Sequence, residues 1–116
     1  MYIYNVTVTL EPEIEQQWLN WMRQEHIPEM LGLGKFKGAL MTKVLTDQDL
    51  GGPTYSIQYR CNNKADLELY YQEDAETMRS QSAPFAGKFI AFRTELDVIQ
   101  EFSWASNPKN ISVSIF

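Results

Sequence analysis

The chain has 116 residues, enough for one domain with a single core. Hydrophobic residues make up 44% and charged residues 22%, which excludes a disordered chain and predicts an ordinary globular protein. A net charge of −5 and a pI near 4.8 repel phosphate backbones and anionic lipid, so neither nucleic acid nor membrane is an expected partner.

From Tyr2 to Leu10 the chain alternates. Tyr2, Tyr4, Val6, Val8 and Leu10 share one face and Ile3, Asn5, Thr7 and Thr9 the other, which predicts a half-buried strand. Glu11-Pro12 opens a helix: proline suits its first turn, and Glu13 and Glu15 suit the positive end of its dipole. Ile14, Trp18, Trp21 and Met22 form the buried stripe, which runs to about His26. Pro28 cannot donate to the preceding turn, so a break or kink is expected there, and Gly32 and Gly34 finish the connection. Phe36 to Leu45 predicts a second strand with apolar residues on both faces, and Thr46 to Pro53 a loop. Thr54 to Cys61 predicts a third, with Tyr55, Ile57, Tyr59 and Cys61 set against Thr54, Ser56, Gln58 and Arg60. Asn62 or Asn63 caps a second helix whose stripe is Leu67, Tyr70, Tyr71, Ala75 and Met78, fraying around Ser80 to Gly87. Phe89 to Phe102 is the longest expected strand. Its alternation predicts Ile90, Phe92, Leu96, Val98 and Phe102 on the core face and Arg93, Glu95 and Asp97 opposite.

The resulting order, β-α-β-β-α-β, predicts an α+β ferredoxin-like fold: an antiparallel four-stranded sheet with both helices on one face. Residues 1–102 make the domain. Residues 103–116 are left as a C-terminal arm or extra strand, in which Ile111 to Phe116 alternates again. Two helices cover only one sheet face. The other is expected to hold Asn5, Thr7, Thr9, Gln58, Arg60, Arg93, Glu95 and Asp97, with apolar area from Ile3 and Ile99. That mixture lacks the Lys/Glu carpet of a solvated surface and suits a sheet-to-sheet homodimer.

Several stretches carry a family resemblance. Tyr2-Ile3-Tyr4-Asn5-Val6-Thr7-Val8, Trp18-Leu19-Asn20-Trp21-Met22, His26-Ile27-Pro28-Glu29, Phe36-Lys37-Gly38, Tyr55-Ser56-Ile57-Gln58-Tyr59 and Phe89-Ile90-Ala91-Phe92-Arg93-Thr94 resemble the bacterial domain of unknown function 4286, over about Met1 to Phe102. The resemblance implies a ferredoxin-like domain of the dimeric α/β-barrel type and brings no activity with it. More distant barrels of this shape include monooxygenases acting on polyketide quinones, haem-degrading enzymes and stress-response proteins, and shape alone does not choose among them.

Cys61 is the sole cysteine, so no intrachain disulfide can form, and its strand position predicts a structural thiol. No basic leader precedes the first strand, which makes the cytoplasm the expected location. The sole histidine, His26, titrates near neutral pH and is the candidate general base, with Glu25 beside it as the catalytic carboxylate. Glu25 falls on the Ile14–Trp18–Trp21 stripe, an odd place for a charge, which puts it either at the wet rim of the core or facing a cavity. Glu29, at i+3 from His26, approaches it only if the helix survives Pro28. The plainer alternative for His26 is a helix-terminal residue bonded to the last carbonyls. Trp18, Trp21, Tyr59, Phe92 and Arg93 are the candidate ligand-binding residues, the rings lining a helix–sheet pocket for a planar ligand; core packing is the competing use. One histidine with scattered carboxylates has no metal-ligand spacing, and no cofactor motif is present. Three functions remain: a homodimeric module binding a small, partly aromatic molecule; a cofactor-free oxygenase or isomerase with His26 as base; and a purely structural dimer.

Overall fold

The structure is a computed structural model that describes residues 1–105. The extra strand expected at Ile111 to Phe116 lies outside the described residues, as does most of the arm. Four strands, β1 (Tyr2–Leu10), β2 (Gly38–Lys43), β3 (Thr54–Cys61) and β4 (Phe89–Asp97), form one sheet in the order β2-β3-β1-β4. Every pairing is antiparallel. The helices are α1 (Glu15–Trp21), α2 (Ile27–Gly32), α3 (Lys64–Glu73) and α4 (Ala75–Ser80). Their buried residues Trp18, Leu19, Met30, Leu67, Tyr70, Ala75 and Met78, with Met22 between α1 and α2, join Tyr4, Val8, Leu10, Tyr55, Ile57, Tyr59 and Cys61 of the sheet in one core. This is the ferredoxin-like arrangement that the element order predicts.

The alternation of β1 and β3 is as read from the sequence, and the register aligns their faces, Tyr4 opposite Tyr59 and Val6 opposite Ile57. The reading of β4 is overturned. Tyr4, Val6, Val8 and Leu10 pair with Glu95, Arg93, Ala91 and Phe89, so the odd positions of β4 face the helices. Ile90, Phe92 and Leu96 lie on the open face, at 65%, 68% and 40% exposure. Arg93, Glu95 and Asp97 are therefore on the helix side. The physical reason is that β4 is an edge strand covered only along its first half. Phe89 and Ala91 pack against the core, while the charged residues that follow stay exposed on the helix side, Glu95 accepting from the Tyr71 hydroxyl of α3 at 3.2 Å.

Of the break or kink expected at Pro28, the break is absent, because helical conformation runs through it. A 3-10 turn (Pro12–Ile14) leads into α1, a π-helical turn (Met22–His26) follows, and α2 continues through Pro28. The Ile27 N–H donates to the Met22 carbonyl, five residues back. A proline inside an α-helix lacks one donor and collides with the carbonyl four residues before it. The wider π turn accommodates the ring. The helix ends instead at Gly34, whose φ of +79° is the left-handed conformation that glycine adopts without strain.

Local chemistry fixes the remaining elements. The Asn63 side chain accepts from the Asp66 N–H at 2.9 Å, capping α3. Tyr71 of the expected stripe is exposed, whereas Leu67, Tyr70, Ala75 and Met78 are buried. Lys35 bridges Glu73, at 2.8 Å, and Asp74, tying the end of the first helical layer to the α3–α4 junction. Tyr55 donates to Glu15 at 2.7 Å, pinning α1 to β3. Cys61 is wholly buried, its Sγ set 3.5 Å from the Tyr2 carbonyl, and burial pushes its thiol up and away from reactivity.

Candidate functional site

The π turn decides what faces the interior. In an unbroken α-helix Glu25, seven residues after Trp18, would share the stripe of Trp18. The extra residue of a π turn shifts the following register by one, so His26 takes that place and Glu25 points to solvent. Glu25 is exposed and does not line the pocket that His26 borders, so its expected position on the buried stripe is overturned.

Between the helices and the sheet lies a cavity of about 70 Å³, partly open to solvent. His26, Trp18, Trp21, Tyr59 and Arg93 all line it. Phe92 does not, because the register of β4 sends it to the opposite face. The sequence reading missed Tyr4, Tyr70, Arg79 and Ser82, which also contribute walls. Tyr4 and Tyr70 resemble ordinary core residues by periodicity. Arg79 carries only one signal, its place immediately after Met78 on the stripe of the second helical layer.

His26 is the chemically distinctive group. Its ring stacks on Trp21, with centroids 4.6 Å apart and planes inclined by 23°. Trp21 in turn contacts Phe85 at 5.4 Å. The imidazole Nδ1 is buried and has no hydrogen-bond partner among the described residues. This overturns the helix-terminal alternative: the helix continues past His26, and no carbonyl satisfies Nδ1. Burial holds the His26 pKa below its ordinary value, and the Gln81 side chain and the Glu29 charge offset only part of that effect. The ring is therefore neutral at pH 7, with one nitrogen free to accept a proton and the other carrying one.

Two guanidinium groups reach the pocket. Arg79 donates to the Tyr4 hydroxyl at 3.2 Å. Arg93 approaches from β4. The cavity is less than half the roughly 150 Å³ that admits a benzene ring in an apolar core. Its enclosed part thus takes a few heavy atoms, and a larger ligand extends through the mouth. Among the described residues no cluster of His, Cys, Asp and Glu is suited to hold a metal ion.

On the open face, polar groups satisfy one another. Asn5 donates to Thr7 and Thr94, each at 3.2 Å, and accepts from Ser56 at 2.8 Å. Around that network stand Ile90, Phe92, Leu96 and the 56%-exposed Leu40. The face is more apolar than the sequence suggested, because β4 supplies its large side chains there and not its charges.

Comparison with solved structures finds the same architecture. A dimeric ferredoxin-like protein from an uncultured marine organism aligns with a TM-score of 0.64 at 12% identity, covering 87% of this chain and 97% of that one. An antibiotic biosynthesis monooxygenase aligns at 0.62 and 12%, covering 86% and 100%. A hydroxynitrile lyase from Passiflora edulis aligns at 0.57 and 11%, covering 86% and 97%. At such identities the likeness is one of fold. No curated protein sequence matches the chain. No helix among the described residues is long and apolar enough to cross a membrane. The family profile described as Domain of unknown function (DUF4286) matches residues 1–99, and the chain belongs to that family.

Proposed function

We propose that this protein is a homodimeric binding module, paired through its open sheet face, that takes a small molecule in the helix–sheet pocket beside His26. The observation that carries the reading is the aromatic-lined cavity that His26 borders. The His26 Nδ1 is buried without a hydrogen-bond partner among the described residues, at a cost of about 1–3 kcal/mol. A ligand recovers that cost where the ring turns to present Nδ1 to the cavity. Trp18, Trp21 and Tyr59 offer apolar contact to the part of the ligand that enters, and a partly aromatic molecule would leave its ring at the mouth. Self-association is supported by the exposed apolar residues of β4 and by the dimeric ferredoxin-like structural neighbour.

The second reading is a cofactor-free oxygenase or isomerase in which His26 is the base. Its support is the depressed pKa, which leaves the imidazole unprotonated at neutral pH. The fold is also used by proteins named as a monooxygenase and a hydroxynitrile lyase. Glu25, turned to solvent, has no part in it. A screen of quinones and flavonoids against wild type and His26→Ala separates the two. Turnover lost in the variant supports catalysis, and equal turnover in both sinks it. Binding without turnover supports the module. For the dimer, light scattering at low micromolar concentration gives twice the 13.5 kDa chain mass if the proposal holds; the monomer mass refutes it.

A further inference from the structure

The pocket has a charge signature of its own. No Asp or Glu lines it, yet Arg79 and Arg93 both do. Among the described residues neither arginine forms an ion pair, whereas Lys35, Lys43 and Lys88 are all paired. Of the acids on the neighbouring elements, Glu73 and Asp74 are engaged by Lys35 and Glu95 by the Tyr71 hydroxyl at 3.2 Å, while the Glu29 charge acts on the His26 side of the pocket. In a chain of net charge −5, an acid-free pocket with two unpaired guanidiniums is a local reversal of field. Both arginines are exposed and so stand at the rim, while the rings of Trp21 and Tyr59 lie further in. Burial pushes the Tyr70 phenol up, and Arg79 and Arg93 both pull against that, which places the two charges within electrostatic reach of one hydroxyl.

We propose that the ligand of this pocket is a small carboxylate, its apolar end in the aromatic-lined cavity and its charged end between Arg79 and Arg93 at the mouth. The inference rests on the binding reading above and adds the ligand's charge. Guanidinium is suited to the role because its planar fork presents paired donors to the two carboxylate oxygens. The cavity volume of about 70 Å³ limits the enclosed part to a short chain.

The test is calorimetric titration of the full chain with butyrate and with butyramide, its uncharged counterpart. Butyrate is expected to bind about tenfold more tightly, the increment of one charge-assisted hydrogen bond. The double variant Arg79→Gln/Arg93→Gln, checked for fold by circular dichroism, is expected to bind the two equally. Arg93→Gln alone, an exposed edge-strand change, gives a partial loss of preference and serves if the double variant does not fold. Equal binding of both probes by wild type overturns the carboxylate inference and leaves the pocket reading standing. A preference that survives in both variants also overturns it. If neither probe binds and neither moves the His26 or Trp21 resonances in nuclear magnetic resonance spectra, both readings fail.

Discussion

At the scale of single residues, His26 couples the site to pH. Its pKa in the folded protein lies below the ordinary value of 6.5, so the native state binds fewer protons than the unfolded chain. The stability it contributes is present above about pH 6.5 and is lost as the pH falls through that region. The urea midpoint of wild type is therefore expected to drop between pH 7.5 and 5.5, above the range where carboxylates titrate. His26→Phe flattens that dependence and, having no unsatisfied nitrogen, is no less stable than wild type at pH 7.5. A variant with an unchanged pH slope contradicts this account. Trp18 is a different case: it is 3% exposed and packs on Tyr55 with ring centroids 5.2 Å apart. Trp18→Ala is expected to cost about 3–5 kcal/mol in chemical denaturation. Trp18, Trp21 and Tyr59 were legible as inward-facing because large rings at helical or alternating spacing have few other places to go. Arg79 was not, since a lone arginine near a fraying helix end looks like any solvated one, and only the tertiary structure brings it beside Tyr4.

At the scale of elements, the π turn and Pro28 form a matched pair. Deleting Gln24, an exposed residue within the turn, would return the segment to α-helical spacing and keep His26 in phase with Trp18. The proline ring would then meet the carbonyl of the preceding turn, at a cost of about 3 kcal/mol. Adding Pro28→Ala to the deletion is expected to restore most of that loss, while Pro28→Ala alone changes stability little. The cycle is read by thermal denaturation, and strictly additive effects would show that turn and proline are independent. Sequence periodicity could not reveal the π turn, because a single-residue register shift leaves the apolar spacing nearly unchanged on either side. It did mark the anomaly: the charge at Glu25 disagreed with the stripe. The strand β4 misled for another reason. Its even positions carry three large apolar residues, Ile90, Phe92 and Leu96, whereas only Phe89 and Ala91 of its odd positions are apolar and pack on the core. Alternation identifies two faces and says nothing about which is inside when both are to be covered.

At the scale of the whole molecule, the proposed dimer rests on that open face. Phe92, 68% exposed and opposite Thr7 in the register, lies beside the Asn5 network. An aromatic anchor of this kind typically contributes about 2–4 kcal/mol at an interface. Phe92→Lys is expected to weaken the dimer by about 100-fold, read by light scattering across a dilution series. Its monomer should stay folded, because Phe92 takes no part in the core. A dimer unaffected by the change would move the interface elsewhere. The overall architecture was legible because helix and strand segments differ in period and arrive in an order with few topological solutions. The packing of a second copy is not encoded in any local period.

The stack of Trp21 on His26 also has an optical consequence. An imidazolium cation in contact with an excited indole accepts electron density and quenches its emission, whereas neutral imidazole does so weakly. With the rings 4.6 Å apart, protonation of His26 should dim Trp21. The protein would thus carry a label-free proton gauge in the wall of its own pocket, and the pH-dependent part of its fluorescence that is lost in Trp21→Phe would report the charge state of its sole histidine.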